Sequence, residues 1–194
     1  VCRETLYNIG HWNRMFEMHS DLIVPVHTAA DIEAAHAQNK VGIIFGFQNC
    51  SPIEDDIDLV AIFNQLGVKI MQLTYNNQSL LGAGCYEATD AGISRFGKVV
   101  IKEMNRVGMV VDMSHSAEES TLQAIEISQR PIVISHANPT FFEPAKRNKS
   151  NKVLSALAES EGLLGFSMYP FHLKNGPQCG LDEFCTMVAE TVDL

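Results

Sequence analysis

Residues 108–139 read GMVVDMSHSAEESTLQAIEISQRPIVISHANP, and their interpretation decides the fold. Two short apolar runs, Met109 to Met113 and Ile132 to Ile134, are rich in Val, Ile and Met. Each is closed by Ser-His, giving Ser114-His115 and Ser135-His136, with the histidines twenty-one positions apart. That interval suits a strand, a helix and the next strand. The intervening Ala117 to Gln129 places Leu122, Ile125 and Ile127 on a helix, with Glu118 and Glu119 in its first turn. Acids there meet the positive end of the helix dipole. A right-handed β-α-β crossover makes the strands parallel neighbours with both C-terminal ends on one face. His115 and His136 are thereby expected in one opening, where a (β/α)8 barrel places a metal site.

The same rhythm extends outward. Toward the C-terminus, Val153 to Ser160 reads as a helix, Leu163 to Met168 as a buried strand and Leu181 to Val192 as a helix. Toward the N-terminus, Ser94 caps a helix running to Val107, with Val99, Val100, Ile101 and Met104 inward and Gly108 ending it. Val68 to Thr74 reads as a strand. Asp56 to Leu66 is an amphipathic helix stopped by Gly67, and Val41 to Phe47 is one continuous apolar strand. Asp31 to Asn39 is a helix led by Thr28, and residues 1–20 are helix and loop. The polar Gln78 to Gly92 leaves a strand's C-terminal end, where barrel active-site loops sit.

Five strands alternating with helices define an α/β class with a parallel sheet. A closed (β/α)8 barrel needs eight strands and about 250 residues. The 194 residues therefore read either as an open doubly wound sheet or as one domain from the centre of a barrel. The absent initiator Met and the stop after a helix favour the second, an incomplete barrel of about five β/α units.

Composition excludes other classes. Hydrophobic content is 46%, charged content 19% and formal net charge −9. That balance fits a globular core and opposes a nucleic-acid surface, which needs clustered cations. Lys146-Arg147-Asn148-Lys149 is too short a basic cluster to change this. No apolar run approaches a membrane span. Five cysteines with no CxxC pair argue for reduced thiols in a cytoplasmic enzyme, and Cys179 with Cys185 stays undecided. No P-loop, GxGxxG or GxSxG elbow is present.

The polar residues at the strand tips are Gln48, Tyr75, His115 and His136, with Arg147 on the loop beyond. Two neutral imidazoles with one or two oxygens suit Zn²⁺. Arg147 is either a bidentate partner for a substrate carboxylate or a solvated loop residue. Tyr75 is either a donor to a developing oxyanion or a half-buried rim residue. Cys50, just past a strand end, has no sign of a lowered pKa.

At these residues the chain resembles the membrane (renal) dipeptidase family, peptidase family M19, and within it the soluble bacterial members. The resemblance spans nearly the whole chain. It is strongest at Gly92-Ile93-Ser94-Arg95-Phe96-Gly97-Lys98, at Glu103 to Met109, at Val111-Asp112-Met113-Ser114-His115 and at Pro131 to His136. Leu73-Thr74-Tyr75-Asn76 and Arg147-Asn148 also fit.

The resemblance implies a metal-dependent barrel that hydrolyses dipeptides, including those ending in a D-residue. It implies that His115 and His136 bind one zinc, that Gln48 stands at the bridging position, and that Arg147, with Asn148 and Tyr75, meets the substrate. The family's first-strand His-x-Asp and its final-strand aspartate, the acid/base group, are expected outside this chain, so the 194 residues alone are expected to be a poor enzyme. Gln48 stands where the family carries a bridging glutamate, and Tyr75 where mammalian members carry histidine. The alternatives are a mononuclear amidohydrolase-like barrel acting on another small amide or lactone, and a catalytically silent binding barrel. Homodimerisation stays open.

Overall fold

A computed structural model describes residues 1–194. Seven helices and seven short strands alternate: α1 (Cys2–Met18), β1 (Ile23–Pro25), α2 (Ala29–Ala37), β2 (Val41–Ile43), β3 (Phe45–Phe47), α3 (Asp58–Gln65), β4 (Val68–Gln72), α4 (Arg95–Val107), β5 (Val110–Asp112), α5 (Glu118–Ile127), β6 (Val133–Ile134), α6 (Asn151–Glu159), β7 (Leu163–Leu164) and α7 (Leu181–Val192). Every ladder is parallel, and β3-β4-β5-β6-β7 lie in sequence order. Strands paired in sequence order with helices between them form an arc of a (β/α)8 barrel, not a doubly wound sheet, whose order reverses at a switch point.

The run 41–47 is two strands, not one. β2 pairs with β1, whereas β3 pairs with β4 across a register shift at Phe45/Gly46. A bulge of this kind re-aims a strand and lets it serve two neighbours. The arc also holds a strand not foreseen, β1, since a three-residue segment ending in Pro25 carries almost no periodic signal.

Local chemistry explains the helix limits. Thr28 and Asp31 form a capping box on α2. Ser94 accepts from Gly97 N at the start of α4, and Gly108 ends it at φ 77°. Val100, Ile101 and Met104 share one buried face of α4, while Val99 faces solvent at 51% exposure. At 100° per residue, Val99 cannot share their row. Between helices and sheet lies a core including Phe63, Met71, Leu73, Val111 and Ile134. Burial of each large side chain contributes about 1.5–3 kcal/mol. No helix is long and apolar enough to cross a membrane.

Candidate metal centre

The regular β5–β6 ladder ends at Asp112↔Val133, and side chains take over beyond it. His115 and His136 follow these strands, and their Nε2 atoms stand 2.9 Å apart. His115 Nδ1 lies 2.7 Å from Asn76 Oδ1. An amide oxygen only accepts, so Nδ1 of His115 carries the proton. Asn76 holds this position at φ 65°, a left-handed conformation that Asn tolerates. Tyr75 lays its ring on His115, with centroids 4.2 Å apart and planes 25° from parallel.

His136 Nδ1 lies 2.8 Å from Ser135 Oγ, and that hydroxyl donates to Asp112 Oδ2 at 2.5 Å. Ser135 has one proton, spent on the carboxylate, so His136 Nδ1 must donate to it. Both protons are therefore on Nδ1, and two Nε2 lone pairs oppose each other. Without a cation between them that contact is repulsive. Two nitrogens 2.9 Å apart can share one Zn²⁺ with bonds of about 2.0–2.1 Å. The donor set thus fits a metal, as two of its ligands.

Burial, then the Arg147 charge, lowers the pKa of both imidazoles. His115 falls to about 3, with His136 as a further cause, whereas Asp112 partly opposes the shift of His136. Neutral rings are the ligating form. No cluster of three or more His, Cys, Asp or Glu is present in the chain.

Arg147 is buried at 1% exposure, which excludes the solvated-loop reading. Its Nη1 donates to Ser114 O and its Nη2 to His136 O at 2.6 Å, while Nε has no partner. Lys149 Nζ, equally buried, donates to Met113 O at 2.9 Å and Ser116 O at 2.7 Å. Arg147 and Lys149 therefore turn inward and tie down carbonyls around both histidines, while Lys146 stays exposed. Burial, with Arg147 nearby, lowers the Lys149 pKa to about 7.

Asn148 uses its amide within the loop: it accepts from Asn138 N and donates to Glu143 O and His172 O. Both donors are spent, so it braces Arg147's loop. Gln48 sits exposed at the tip of β3, beside Val1, Glu4 and Pro52, and no hydrogen bond joins it to either histidine.

Several residues at the site escaped the sequence reading. Asn76, Asp112 and Ser135 orient the imidazoles. Gln72, aligned with Asp112, is buried with an unpaired Oε1. His172 has a buried, unpaired Nδ1, and burial followed by the Arg147 charge lowers its pKa. The Ser-His repeat was the available signal for the serines; the others needed the register.

The 78–92 loop is pinned to the strand tips. Cys85 N donates to His115 O, and Asp90 caps α5 through Glu119 N and Ser120 Oγ. Gly84 passes so close to Asn76 that no Cβ would fit. Beside Tyr75 a cavity of about 620 Å³, lined by Asn49, Cys50, Ser51, Asn77 and Gln78 among others, has room for a small ligand. Burial raises the Cys50 thiol pKa, which opposes a nucleophilic role. All five cysteines are free.

Fold and site together define an arc of a parallel (β/α)8 barrel with imidazoles at adjacent strand ends. Residues 1–191 match the family described as Membrane dipeptidase (Peptidase family M19), and the chain belongs to that family. An amidohydrolase from Pseudomonas aeruginosa of solved structure is 39% identical, with a TM-score of 0.95 over 98% of this chain and 58% of its own. A metallo peptidase from Rhodobacter sphaeroides, liganded with a phosphinate mimic of L-Ala-D-Ala, shares the fold at TM-score 0.88 and 23% identity, over 95% of this chain and 55% of its own. Dipeptidase tcpJ from Claviceps purpurea is 28% identical over 91% of this chain and 42% of its own length. The chain thus spans about two fifths of that relative and somewhat over half of the solved structures.

Proposed function

We propose that the whole protein is a metal-dependent dipeptidase whose zinc is held in part by His115 and His136. The carrying observation is the pair of opposed Nε2 lone pairs, 2.9 Å apart, with both ring protons engaged elsewhere. A zinc ion held there would supply Lewis-acid chemistry, polarising a peptide carbonyl and lowering the pKa of bound water. Arg147 and Lys149 fix the backbone beneath the two rings. Arg147, its two Nη atoms engaged by Ser114 O and His136 O rather than free as a fork, is proposed to favour a substrate carboxylate through its charge. The Tyr75 hydroxyl, on a ring held against His115, is proposed as the donor to a developing oxyanion. The unpaired cysteines support a reducing, cytoplasmic setting.

A second reading has one metal and another small amide or lactone as substrate. It is favoured by Gln48, a neutral side chain where the family resemblance expects a bridging glutamate. Metal content per chain, measured with hydrolysis of dipeptides ending in L- or D-residues, separates the readings. Two zinc ions and dipeptide hydrolysis are expected. One metal with activity only on other amides or lactones supports the second reading. A full-length protein that binds no metal overturns both.

A further inference from the structure

Each histidine follows a serine, and both serines meet one buried carboxylate. Asp112 Oδ1 accepts from Ser114 N at 2.9 Å, from Ser114 Oγ at 2.5 Å and from Ser135 N at 3.3 Å. Its Oδ2 accepts from Ser135 Oγ at 2.5 Å. Ser114 Oγ, its proton spent on Asp112, accepts in turn from His136 N at 3.2 Å. These bonds replace the β-ladder where it stops, so a side chain sets the spacing of the two Ser-His pairs.

The two hydroxyls differ in one respect. Ser114 touches neither imidazole, its Oγ lying instead 3.0 Å from Ser135 Oγ. Ser135 touches His136 Nδ1 and has the carboxylate behind it. A hydroxyl that donates to a carboxylate is a polarised, stronger acceptor. His115 has only the neutral amide of Asn76 in the corresponding place. A charged partner behind a ligating imidazole fixes its tautomer and raises its basicity as a ligand.

We propose that Asp112 is a positioning residue acting through Ser135: it locks the proton of His136 on Nδ1, keeps Nε2 free for a cation, and makes His136 the stronger of the two ligands. The proposal rests on the metal-site reading above. The tautomer it predicts is a property of the metal-free protein as well, so the two can fail separately.

The test uses the full-length protein with histidine-selective ¹⁵N labelling, and NMR to report which ring nitrogen of His136 is protonated. Zinc affinity is measured by competition with a chromophoric chelator. Wild type is expected to hold His136 as the Nδ1–H tautomer. Ser135→Ala removes the acceptor, so the Nε2–H form becomes populated and zinc binding weakens about 10–100-fold. Ser135→Thr keeps a hydroxyl and restores both readouts. Ser114→Ala deletes the twin bond to the same carboxylate and leaves the tautomer unchanged, with a smaller loss of zinc affinity. In Asp112→Asn the amide offers one acceptor instead of two, the Ser135 proton turns to Nδ1, and the tautomer flips. If that variant does not fold, the serine variants decide. Ser135→Ala with the Nδ1–H tautomer intact and wild-type zinc affinity overturns the proposal. Equal zinc losses in Ser114→Ala and Ser135→Ala, with no tautomer change, also overturn it and leave a structural role. If wild type binds no zinc, the metal reading falls, and the tautomer measurement still decides the Asp112 relay.

Discussion

Replacing Arg147 tests whether the inward-facing guanidinium holds the site together. Arg147→Met keeps the length and removes the two bonds to Ser114 O and His136 O. Hydrogen bonds to a charged group contribute about 1.5–3 kcal/mol each. The variant escapes the cost of burying a cation, but it leaves two strand-end carbonyls unpaired. The net loss is about 3 kcal/mol, or roughly 100-fold in the unfolding equilibrium. Urea unfolding of the full-length protein at pH 7, followed by far-UV circular dichroism, reads this as a lower midpoint at unchanged slope. Arg147→Lys keeps the charge, but a single ammonium cannot reproduce the fork, and it recovers less than half of the loss. In kinetics, both variants raise KM for free dipeptides and barely affect dipeptide amides, which lack the carboxylate. A loss below about 1 kcal/mol in Arg147→Met would refute the clamp. Equal hydrolysis of acid and amide by wild type would refute the carboxylate role.

Lys149 gives stability a pH signature. Its pKa falls from the ordinary 10.5 to about 7 on folding. Between those values the unfolded chain binds the proton and the folded one does not, so this group makes stability rise with pH. Below about 7 both states carry the proton and the cost of burying the charge is fully felt. The stability of wild type relative to Lys149→Met should therefore climb from pH 7 toward 9, by at most about 1.4 kcal/mol per unit; a flat difference would sink this. Tyr75→Phe keeps the ring stacked on His115 and loses the hydroxyl. If that hydroxyl serves the oxyanion, kcat falls about 100-fold with KM nearly unchanged, whereas wild-type kcat would return Tyr75 to a rim role.

The parts legible in the sequence were those written locally. Ser94 and Gly108 bound α4 because a hydroxyl cap and a left-handed glycine are short-range devices. His115 and His136 could be paired because a β-α-β unit has one handedness and a narrow range of lengths. The break at Ile44 was not legible, since an apolar run looks the same whether it serves one neighbour or two. The direction of Arg147 was hidden for a similar reason. Its acceptors are carbonyls 33 and 11 residues away, and every residue has a carbonyl. Val99 needed only the angle per residue, but the three consecutive apolar residues Val99, Val100 and Ile101 blurred the face.

The inward turn of Arg147 and Lys149 also gives the site two unlike sides. Four carbonyls on the β5 and β6 side are tied by two buried cations on one short loop. Both cations sit two residues apart, so the same stretch of backbone seats both braces. On the opposite flank the exposed Tyr75 and the polar cavity beyond β3 and β4 face solvent. The two flanks of the imidazole pair thus differ in kind, one cross-braced by buried cations and the other open and polar.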